Sequence, residues 1–476
     1  GEEPEDVWLA RLERVRDYLT DLYFANNLSF ELFEDIVRRV LEERGALQDE
    51  WLSNWNAELA PQDILVEQAI RITRLPPEER KNYEASLEEI KVVLIRNMIS
   101  DQLAYIKIAK KWFNLADLLD IRERKIGSGK VGGKAAGMLL AKSILSAVGD
   151  EDIREHIRIP ESYFLGADVM YAFMAHNNLM HWSDQKYKSE EEIRKDYPRI
   201  KEEYLSGVFP LDIRDELQYI LHNIGSKPII VRSSSLLEDN FGTSFAGKYE
   251  SHFCPNQGTP EENFRAFERA IIKVYASALS AEPLMYRRSK DLQDYDERIA
   301  VLIQVVQGEQ LGHYYLPEMA GVGFSRNLYR WSPQIERDAG FLRLVWGLGT
   351  RAVDRVGSDF PRLVALSHPM LYAHSDPLLL SKYSQKEVDL IDLKANRFRT
   401  LPVAEVLNKH NPILRYIAQV YQDGYLSPIR STLVHLDQDN LVINMDEVLR
   451  RTPFADRMKR ILDIHSTHYQ SPVDME

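Results

Sequence analysis

The sequence predicts an α/β or α+β fold that is preceded by an α-helical N-terminal domain. Up to about residue 120, apolar residues recur at helical spacing, as at Leu12 and Val15. After that point, glycine-rich turns and short β-branched runs such as 227–232 alternate with helical segments. A chain of 476 residues is long enough for two to four domains. We therefore predict a helical domain at 1–120 and a second, mixed domain at 121–476.

Composition excludes several classes of protein. Hydrophobic residues make up 44% of the chain and charged residues 28%, and no apolar run approaches the roughly 20 residues that span a bilayer. The net charge is −13 and basic residues are dispersed among acidic ones, which argues against nucleic-acid binding. Cys254 is the single cysteine, so an intrachain disulfide is excluded. The first residues are acidic rather than a secretory signal, and we expect a cytoplasmic protein.

Three long helices are predicted in the N-terminal domain. The first carries an apolar stripe between Leu9 and Leu22, and the second begins at Ser29, a typical N-cap residue. The third is predicted as one helix over 86–113. No group of residues in this domain suggests catalysis, so we expect a packing or interaction module.

The second domain contains several predicted strands. The highly charged stretch 183–214 is predicted to be an insertion or a solvated helix. The predicted strands are 227–232, 298–304 and 321–325, and a possible hairpin is formed by 431–435 and 441–443.

The first motif with chemical content is the glycine-rich segment 125–138. A glycine turn leads to Lys134 and then to an apolar helix. Glycines allow the backbone to approach an anion closely, and a helix N-terminus offers N–H groups to phosphate. The segment is not a Walker A loop, because Ser128 and Ala135 stand where glycine and a hydroxyl residue are required. The alternative is a flexible turn that caps a helix.

The second motif centres on Arg232. A buried strand delivers this arginine to its end, and serine hydroxyls and a loop bracketed by Gly242 and Gly247 follow. Arginine contacts phosphate oxygens in a planar, bidentate manner, and a loop bounded by glycines can close over a polyphosphate. The alternative is a structural ion pair between Arg232 and Glu238 or Asp239.

Together, these two segments resemble the nucleotide-binding domain of phosphoenolpyruvate synthase, which also occurs in pyruvate phosphate dikinase and rifampin phosphotransferase. The resemblance covers roughly residues 120 to 476. Its other motifs follow in the family's order: 276–279, 285–288, 303–306, 321–327, 346–349, 468–469 and 472–476.

The resemblance implies an ATP-grasp-like fold in which ATP lies between two lobes that divide near 230–300. Asp474 and Glu476, two residues apart on a strand, share one face, and such carboxylates suit Mg²⁺. The resemblance implies Lys134 and Arg232 as catalytic phosphate contacts, Gly132, Gly133, Gly242, Thr243, Ser244 and Gly247 as nucleotide-binding residues, Gln304, Val305 and Val306 beside the adenine, and Asp474 and Glu476 as metal ligands.

The sequence departs from the family pattern in three respects. Thr350 stands where the family commonly has an acidic residue. The sequence stops at Glu476, before the strand that would carry the family's glutamine and arginine, so we expect a truncated domain. The phosphoryl-carrying histidine is missing, because His368, like His252, follows a serine but lacks the neighbouring pair of glycines. We therefore expect histidine-carrier and acceptor domains downstream or in a partner.

The resemblance implies a dikinase-type phosphotransferase that converts ATP, an acceptor and water to AMP, phosphorylated acceptor and phosphate. One alternative is a non-catalytic ATP sensor, and another is an enzyme with a rifampin-like acceptor. His465 and His468 have metal-ligand spacing, but no third ligand is apparent in the sequence. Cys254 follows a predicted strand and is expected to be buried rather than nucleophilic.

Overall fold

The computed structural model describes two compact units, which are residues 1–93 and 94–476. Among the described residues, no helix combines the length and apolar character needed to cross a membrane. The described residues are 60–235, 239–240, 243–244, 249–294, 299–353, 359–430 and 440–476, together with single positions before residue 60.

Helices and strands alternate through most of the second unit, as the fold-class prediction requires. The α-helices are α1 (Gln62–Arg74), α2 (Pro77–Arg80), α3 (Glu84–Met98), α4 (Leu103–Trp112), α5 (Leu115–Glu123), α6 (Gly133–Val148), α7 (Glu151–His156), α8 (Ala167–His176), α9 (Glu190–Leu205), α10 (Leu211–Ile224), α11 (Pro260–Ser277), α12 (Ala281–Ser289), α13 (Thr350–Val353), α14 (Pro377–Lys382), α15 (Val403–Val406), α16 (Leu414–Ile417), α17 (Asp446–Arg451) and α18 (Phe454–Tyr469).

The strands form four sheets of three or more strands and one short hairpin. The strands are β1 (Lys125–Ile126), β2 (Ser162–Leu165), β3 (Ile229–Ser234), β4 (Asp239–Asn240), β5 (Thr243–Ser244), β6 (Ser251–Cys254), β7 (Ala300–Val305), β8 (Glu309–Leu311), β9 (Tyr314–Leu316), β10 (Ala320–Phe324), β11 (Phe341–Val345), β12 (Arg362–Ala365), β13 (Glu387–Asp392), β14 (Arg397–Pro402), β15 (Ala418–Gln422), β16 (Tyr425–Pro428), β17 (Leu441–Ile443) and β18 (Asp474–Met475).

The described part of the first unit is helical, in agreement with the sequence. Helix α1 is amphipathic and buries Leu65 and Ile72, while Glu67 and Arg71 form an exposed ion pair of 2.6 Å. Leu12 and Val15 lie on helical turns and are about half exposed. The predicted N-cap Ser29 lies outside the described residues.

The prediction of one long helix over 86–113 is wrong. Helix α3 ends at Met98 and α4 begins at Leu103. The Ser100 hydroxyl accepts a hydrogen bond of 3.3 Å from the backbone N–H of Gln102. Short polar side chains compete in this way with helical hydrogen bonds, and here they end the helix. The break also leaves the Met98 carbonyl able to accept a hydrogen bond of 3.0 Å from the N–H of Val131.

The first lobe is built on the five-stranded sheet β1-β2-β7-β3-β6. Every residue of the central strand β7 is buried, which explains why 299–306 is apolar except for Gln304. Strand β7 is antiparallel to both neighbours, and Gln304 pairs with Ser162 on one side and Ile230 on the other. Buried residues of α8, α10 and α11 complete the core of this lobe.

The second lobe contains the sheet β12-β11-β10-β18, the sheet β14-β13-β9-β8 and the sheet β16-β15-β17. The predicted strand 321–325 is β10, and the predicted strand 441–443 is β17, which pairs with β15. Residues 431–435, the other half of the predicted hairpin, lie outside the described residues. The charged stretch 183–214 contains α9, a helix with a mostly exposed polar surface, as predicted. The α+β class and the helical N-terminal region are therefore confirmed.

Helices α6 and α18 lie against each other in antiparallel directions. Near the start of α18, the guanidinium of Arg457 donates to the Asp152 carboxylate just beyond the end of α6. In the middle, Ile461 packs in one apolar cluster with Leu145. At the other end, the Tyr469 hydroxyl donates to the Gly137 carbonyl over 3.1 Å. The helix pair therefore carries the chain from the far end of α6 back to its N-terminus, where β18 begins.

His465 is buried in α18, with only 3% of its surface exposed. Neither ring nitrogen has a hydrogen-bond partner among the described residues. Burial, assisted by neighbouring His468, lowers the pKa of His465 to about 4. Folding therefore requires this imidazole to be neutral.

We expect His465 to make the protein sensitive to mild acid. The unfolded chain takes up a proton near pH 6.5 while the folded protein does so only near pH 4. Stability should therefore be lost as pH falls through this window, by up to roughly 3 kcal/mol. Denaturant unfolding of the wild type and of His465→Met between pH 7 and 4.5 measures this effect, with exposed His222→Met as control. Equal slopes of the free energy of unfolding against pH in all three proteins would contradict the prediction.

Candidate functional site

The site begins where the N-terminus of α6 meets the end of β3. The N–H of Gly133 donates to the Ser235 carbonyl over 3.0 Å, and the N–H of Ala135 donates to the Ser234 hydroxyl over 3.1 Å. Gly132 has a φ of +82°, and a Cβ atom there would lie 1.5 Å from the carbonyl oxygen of Ser234. Only glycine permits this approach, so the two motifs predicted from the sequence form one structural unit.

The glycines therefore have a packing role that the sequence alone did not indicate. Two N–H groups in the first turn of α6, those of Gly133 and Ala135, are bonded to protein oxygens. The helix terminus consequently has fewer donors for phosphate than a Gly-Lys motif suggests. The assignment of Gly132 and Gly133 to nucleotide binding stays a prediction.

Asp168, at the start of α8, holds the turn that precedes these glycines. Its carboxylate accepts hydrogen bonds from the N–H groups of Ser128 and Gly129, over 2.8 and 2.7 Å. A Cβ atom at Gly129 or at Gly166 would lie 2.5 Å from the same carboxylate, so both glycines make room for it. Sequence reasoning missed Asp168. The available signal was an acidic residue at a helix start directly after a strand.

Arg232 lies at the centre of the site. Its guanidinium forms an ion pair with Glu476, while its Nε is buried without a hydrogen-bond partner in the described part of the chain. Lys134 acts electrostatically on the same carboxylate. The sequence alternative paired Arg232 with Glu238 or Asp239, whose side chains lie outside the described residues.

Asp474 and Glu476 are presented by the second lobe. Strand β18, which carries Asp474, pairs with β10, and Glu476 follows the strand directly; both carboxylate side chains are exposed. The surrounding protein and the charge of Glu476 raise the pKa of Asp474. The surrounding protein disfavours ionisation of Glu476 as well, but Arg232 and Lys134 outweigh it and lower the pKa of that carboxyl. The assignment of Asp474 and Glu476 as metal ligands stays a prediction.

Two neighbouring carboxylates are a donor set that suits Mg²⁺, which is usually held by one or two carboxylates, water and substrate phosphates. A divalent cation would offset the negative charge of Glu476, which adds to burial in raising the pKa of Asp474. Among the described residues, no group of three or more histidine, cysteine, aspartate or glutamate side chains could hold a metal. The residues therefore fit a metal that is completed by ligand oxygens, not a closed structural metal site.

The strand predicted to lie beside adenine has most of its polar groups engaged. The side chain of buried Gln304 donates to the Ser162 hydroxyl over 3.2 Å. The N–H groups of Val305 and Val306 donate to the carbonyls of Glu161 and Pro228, both over 2.9 Å. A base bound here would therefore meet apolar side chains and carbonyl oxygens first. The adenine assignment stays a prediction.

The predicted closing loop is described only in part. Backbone pairing joins β4 to β5 in a short hairpin, so Thr243 and Ser244 lie on a β-ladder. Strand β4 lies beside α6. Gly242 and Gly247, which we predicted as the ends of the loop, lie outside the described residues.

Thr350, which stands where the family commonly has an acidic residue, contacts a cluster of charged side chains around Arg351. Its hydroxyl donates to Asp389 over 2.5 Å. The next residue, Arg351, is buried and contacts Asp389, Asp359 and Glu387 at 3.2, 2.7 and 2.8 Å. These three carboxylates neutralise a buried cation, which is a structural use that competes with metal binding.

The remaining candidates from the sequence, His468 and Cys254, are packed against other parts of the protein. The ring of His468 packs edge-on against Trp112, with centroids 4.7 Å apart. Cys254 is buried at the end of β6, and burial raises the pKa of its thiol to about 12. The prediction that Cys254 is buried is confirmed, and so high a pKa leaves almost no nucleophilic thiolate at neutral pH.

Two cations of the first lobe, Arg232 and Lys134, thus act on one carboxylate of the second lobe, Glu476. Residues 128–476 match the family described as pyruvate phosphate dikinase, AMP/ATP-binding domain. The match covers more than half of the chain, and the chain therefore belongs to this family. The resemblance found in the motifs is confirmed.

Two curated relatives are similar over shorter segments. The protein named uncharacterized phosphotransferase YvkC of Bacillus subtilis (strain 168) is 26% identical over 171 residues, which are 36% of this chain and 17% of that protein. A phosphoenolpyruvate synthase of Aquifex aeolicus (strain VF5) is 25% identical over 198 residues, which are 38% of this chain and 21% of that protein. The matched segments thus span less than a quarter of either relative.

We expect two glycine substitutions in the same region to act in opposite directions. Gly132→Ala forces a Cβ atom into the Ser234 carbonyl at a positive φ, so it should destabilise the protein by at least about 1–2 kcal/mol. At helical Gly137 a Cβ atom would meet no described atom within 4 Å, so Gly137→Ala should stabilise by about 0.5–1 kcal/mol. Denaturant unfolding measures both. Similar effects of the two variants would show that the approach to Ser234 is unimportant.

Proposed function

We propose that this chain is the ATP- and Mg²⁺-binding part of a dikinase-type phosphotransferase. The observation that carries the proposal is the meeting of Arg232 and Lys134 from the first lobe with Glu476 from the second. The family match to AMP/ATP-binding domains supports the nucleotide, and the names of the two relatives support phosphotransfer. A cytoplasmic location is part of this proposal and rests on composition.

The cationic and acidic residues of the proposed site would have different roles in binding the triphosphate. The guanidinium of Arg232 meets Glu476 and would meet a phosphate oxygen in its place, and Lys134 supplies a second positive charge near the same carboxylate. Fixed cations of this kind stabilise negative charge as a phosphoryl group is transferred. Asp474 and Glu476 would hold Mg²⁺, which would shield the phosphate charges.

The phosphoryl group needs an acceptor that this sequence does not contain. None of the twelve histidines occurs in the Gly-Gly-x-x-Ser/Thr-His setting of the family's carrier. We propose that a histidine on a separate carrier domain takes the phosphoryl group and passes it to the final acceptor. The overall reaction would convert ATP, acceptor and water to AMP, phosphorylated acceptor and phosphate. The acceptor, whether pyruvate or a rifampin-like compound, would be selected by that other domain.

Lys134→Ala and Arg232→Ala should each weaken ATP binding without unfolding the protein. Loss of a hydrogen bond to a charged phosphate costs about 1.5–3 kcal/mol, which corresponds to roughly 10- to 150-fold in Kd. Calorimetry with ATP and Mg²⁺ measures the loss. Lys227→Ala and Arg199→Ala are matched controls, because both side chains are largely exposed and form ion pairs elsewhere. If Lys134→Ala and Arg232→Ala bind ATP normally but melt at much lower temperature, the two residues are structural.

Glu476→Gln should change the affinity for ATP in opposite directions without and with Mg²⁺. Without Mg²⁺, the variant should bind ATP more tightly, because Arg232 no longer shares its charge with a carboxylate. With Mg²⁺, it should bind more weakly, because one metal ligand is lost. Each change should be on the order of 10-fold. Titration of ATP with and without Mg²⁺ measures both, and an equal loss of affinity in the two conditions would contradict the assignment of Glu476 to the metal.

A second candidate function is ATP sensing without catalysis. It is favoured by the helical region before residue 128, which lies outside the family match, and by Thr350 in place of the family's acidic residue. The two functions differ in one product. Labelled ATP should generate an acid-labile phosphohistidine when the complete protein or its partner carries the carrier domain. Tight ATP binding without any phosphorylation would favour the sensor.

A further inference from the structure

A short segment ahead of the family match contacts the proposed phosphate site. This segment, residues 98–112, comprises the end of α3, the break and α4, and we refer to it as the strut. The N–H of Val131 donates to the Met98 carbonyl over 3.0 Å, and Lys130 forms an ion pair with Asp101 at 3.1 Å. The strut therefore holds the chain directly before Gly132 at two successive residues.

Tyr105 is the deepest contact between the strut and the site. Its side chain is 5% exposed, and its hydroxyl donates to the carbonyl of Ala136 over 2.9 Å. Ala136 lies in the first turn of α6, two residues after Lys134. A carbonyl oxygen has two lone pairs, so this hydrogen bond adds to the helical one instead of replacing it.

A second tyrosine reaches the adjacent carbonyl from another helix. The Tyr469 hydroxyl, on α18, donates to the carbonyl of Gly137. Burial and the neighbouring Tyr469 raise the pKa of Tyr105 well above its ordinary value, so its hydroxyl keeps the donated proton at neutral pH. Two helices from distant parts of the chain thus fix consecutive carbonyls near the N-terminus of α6.

The other end of α4 also contacts α18. The ring of Trp112 meets the ring of His468 edge-on, with centroids 4.7 Å apart and planes inclined by 76°. Helix α18 leads within a few residues to Asp474 and Glu476. The strut therefore contacts both the helix that carries Lys134 and the helix that precedes the carboxylates.

We propose that Tyr105 is a positioning residue for the nucleotide site, which fixes the first turn of α6 and thereby the Lys134 ammonium group. The identity of the ligand rests on the proposed function, whereas the effect of Tyr105 on the first turn of α6 does not. Without the hydroxyl, the first turn of α6 loses one of its fixed points, and Lys134 samples a wider range of positions. Binding of the triphosphate should suffer, whereas binding of the adenosine part should not.

The variant Tyr105→Phe tests this proposal, because it removes the hydroxyl and keeps the buried ring. We expect a 3- to 10-fold increase in the Kd of ATP, which is the usual effect of one hydrogen bond, and no change in the Kd of adenosine. Tyr204→Phe is the matched control, since Tyr204 is equally buried and its hydroxyl has no partner among the described residues. A residue that served only the core would alter ATP and adenosine alike.

Hydrogen exchange without nucleotide provides a readout that does not depend on ATP. The backbone amides of residues 131–137 should exchange faster in Tyr105→Phe than in the wild type and in Tyr204→Phe. If the wild type binds no nucleotide, the proposed function fails while exchange still decides the role of Tyr105. Unchanged exchange overturns the proposal. Equal weakening of ATP and adenosine with a lower melting temperature also overturns it, because Tyr105 would then be a general core residue.

Discussion

The ion pair between Arg232 and Glu476 joins two side chains that are 244 residues apart in sequence, and the rest of the site depends on it. One partner lies on the sheet of the first lobe and the other beside the sheet of the second. An exposed ion pair contributes little stability by itself, so it does not hold the lobes together. The antiparallel pair of α6 and α18 does that, and it delivers β18 to the N-terminus of α6. Formation of the ion pair therefore depends on how the two lobes are placed relative to each other.

The charges around Glu476 indicate how the proposed site would receive its ligands. Lys134 and Arg232 both act on the Glu476 carboxylate, so this carboxylate is compensated before a ligand arrives. A triphosphate would take over the two cations, and a divalent cation would take over the two carboxylates. Both exchanges would place opposite charges in contact, which limits the cost of burying them in a partly desolvated site.

Local patterns in the sequence predicted the strands β3, β7 and β10 and the helix α6, because apolar periodicity and glycine turns act over a few residues. The family resemblance predicted that Lys134, Arg232, Asp474 and Glu476 belong to one site. What could not be predicted depends on contacts between distant segments. The role of Asp168 required knowledge that β1 and β2 are adjacent and parallel. The break between α3 and α4 was missed because the apolar stripe continues across it, while a single serine hydroxyl ends the helix.

The distribution of carboxylates in the second lobe gives a final constraint on the metal. A second group of carboxylates, those of Asp359, Glu387 and Asp389, could be taken for metal ligands. Each of them contacts the guanidinium of Arg351, which is buried. A metal that recruited them would leave a buried cation unpaired, at a cost of several kcal/mol, on the order of 3–5 kcal/mol. The same penalty does not apply at Glu476, because the cations that act on it are the ones that the proposed phosphates would neutralise. A metal in this lobe, as proposed, would therefore bind at lower electrostatic cost near Arg232 than near Arg351.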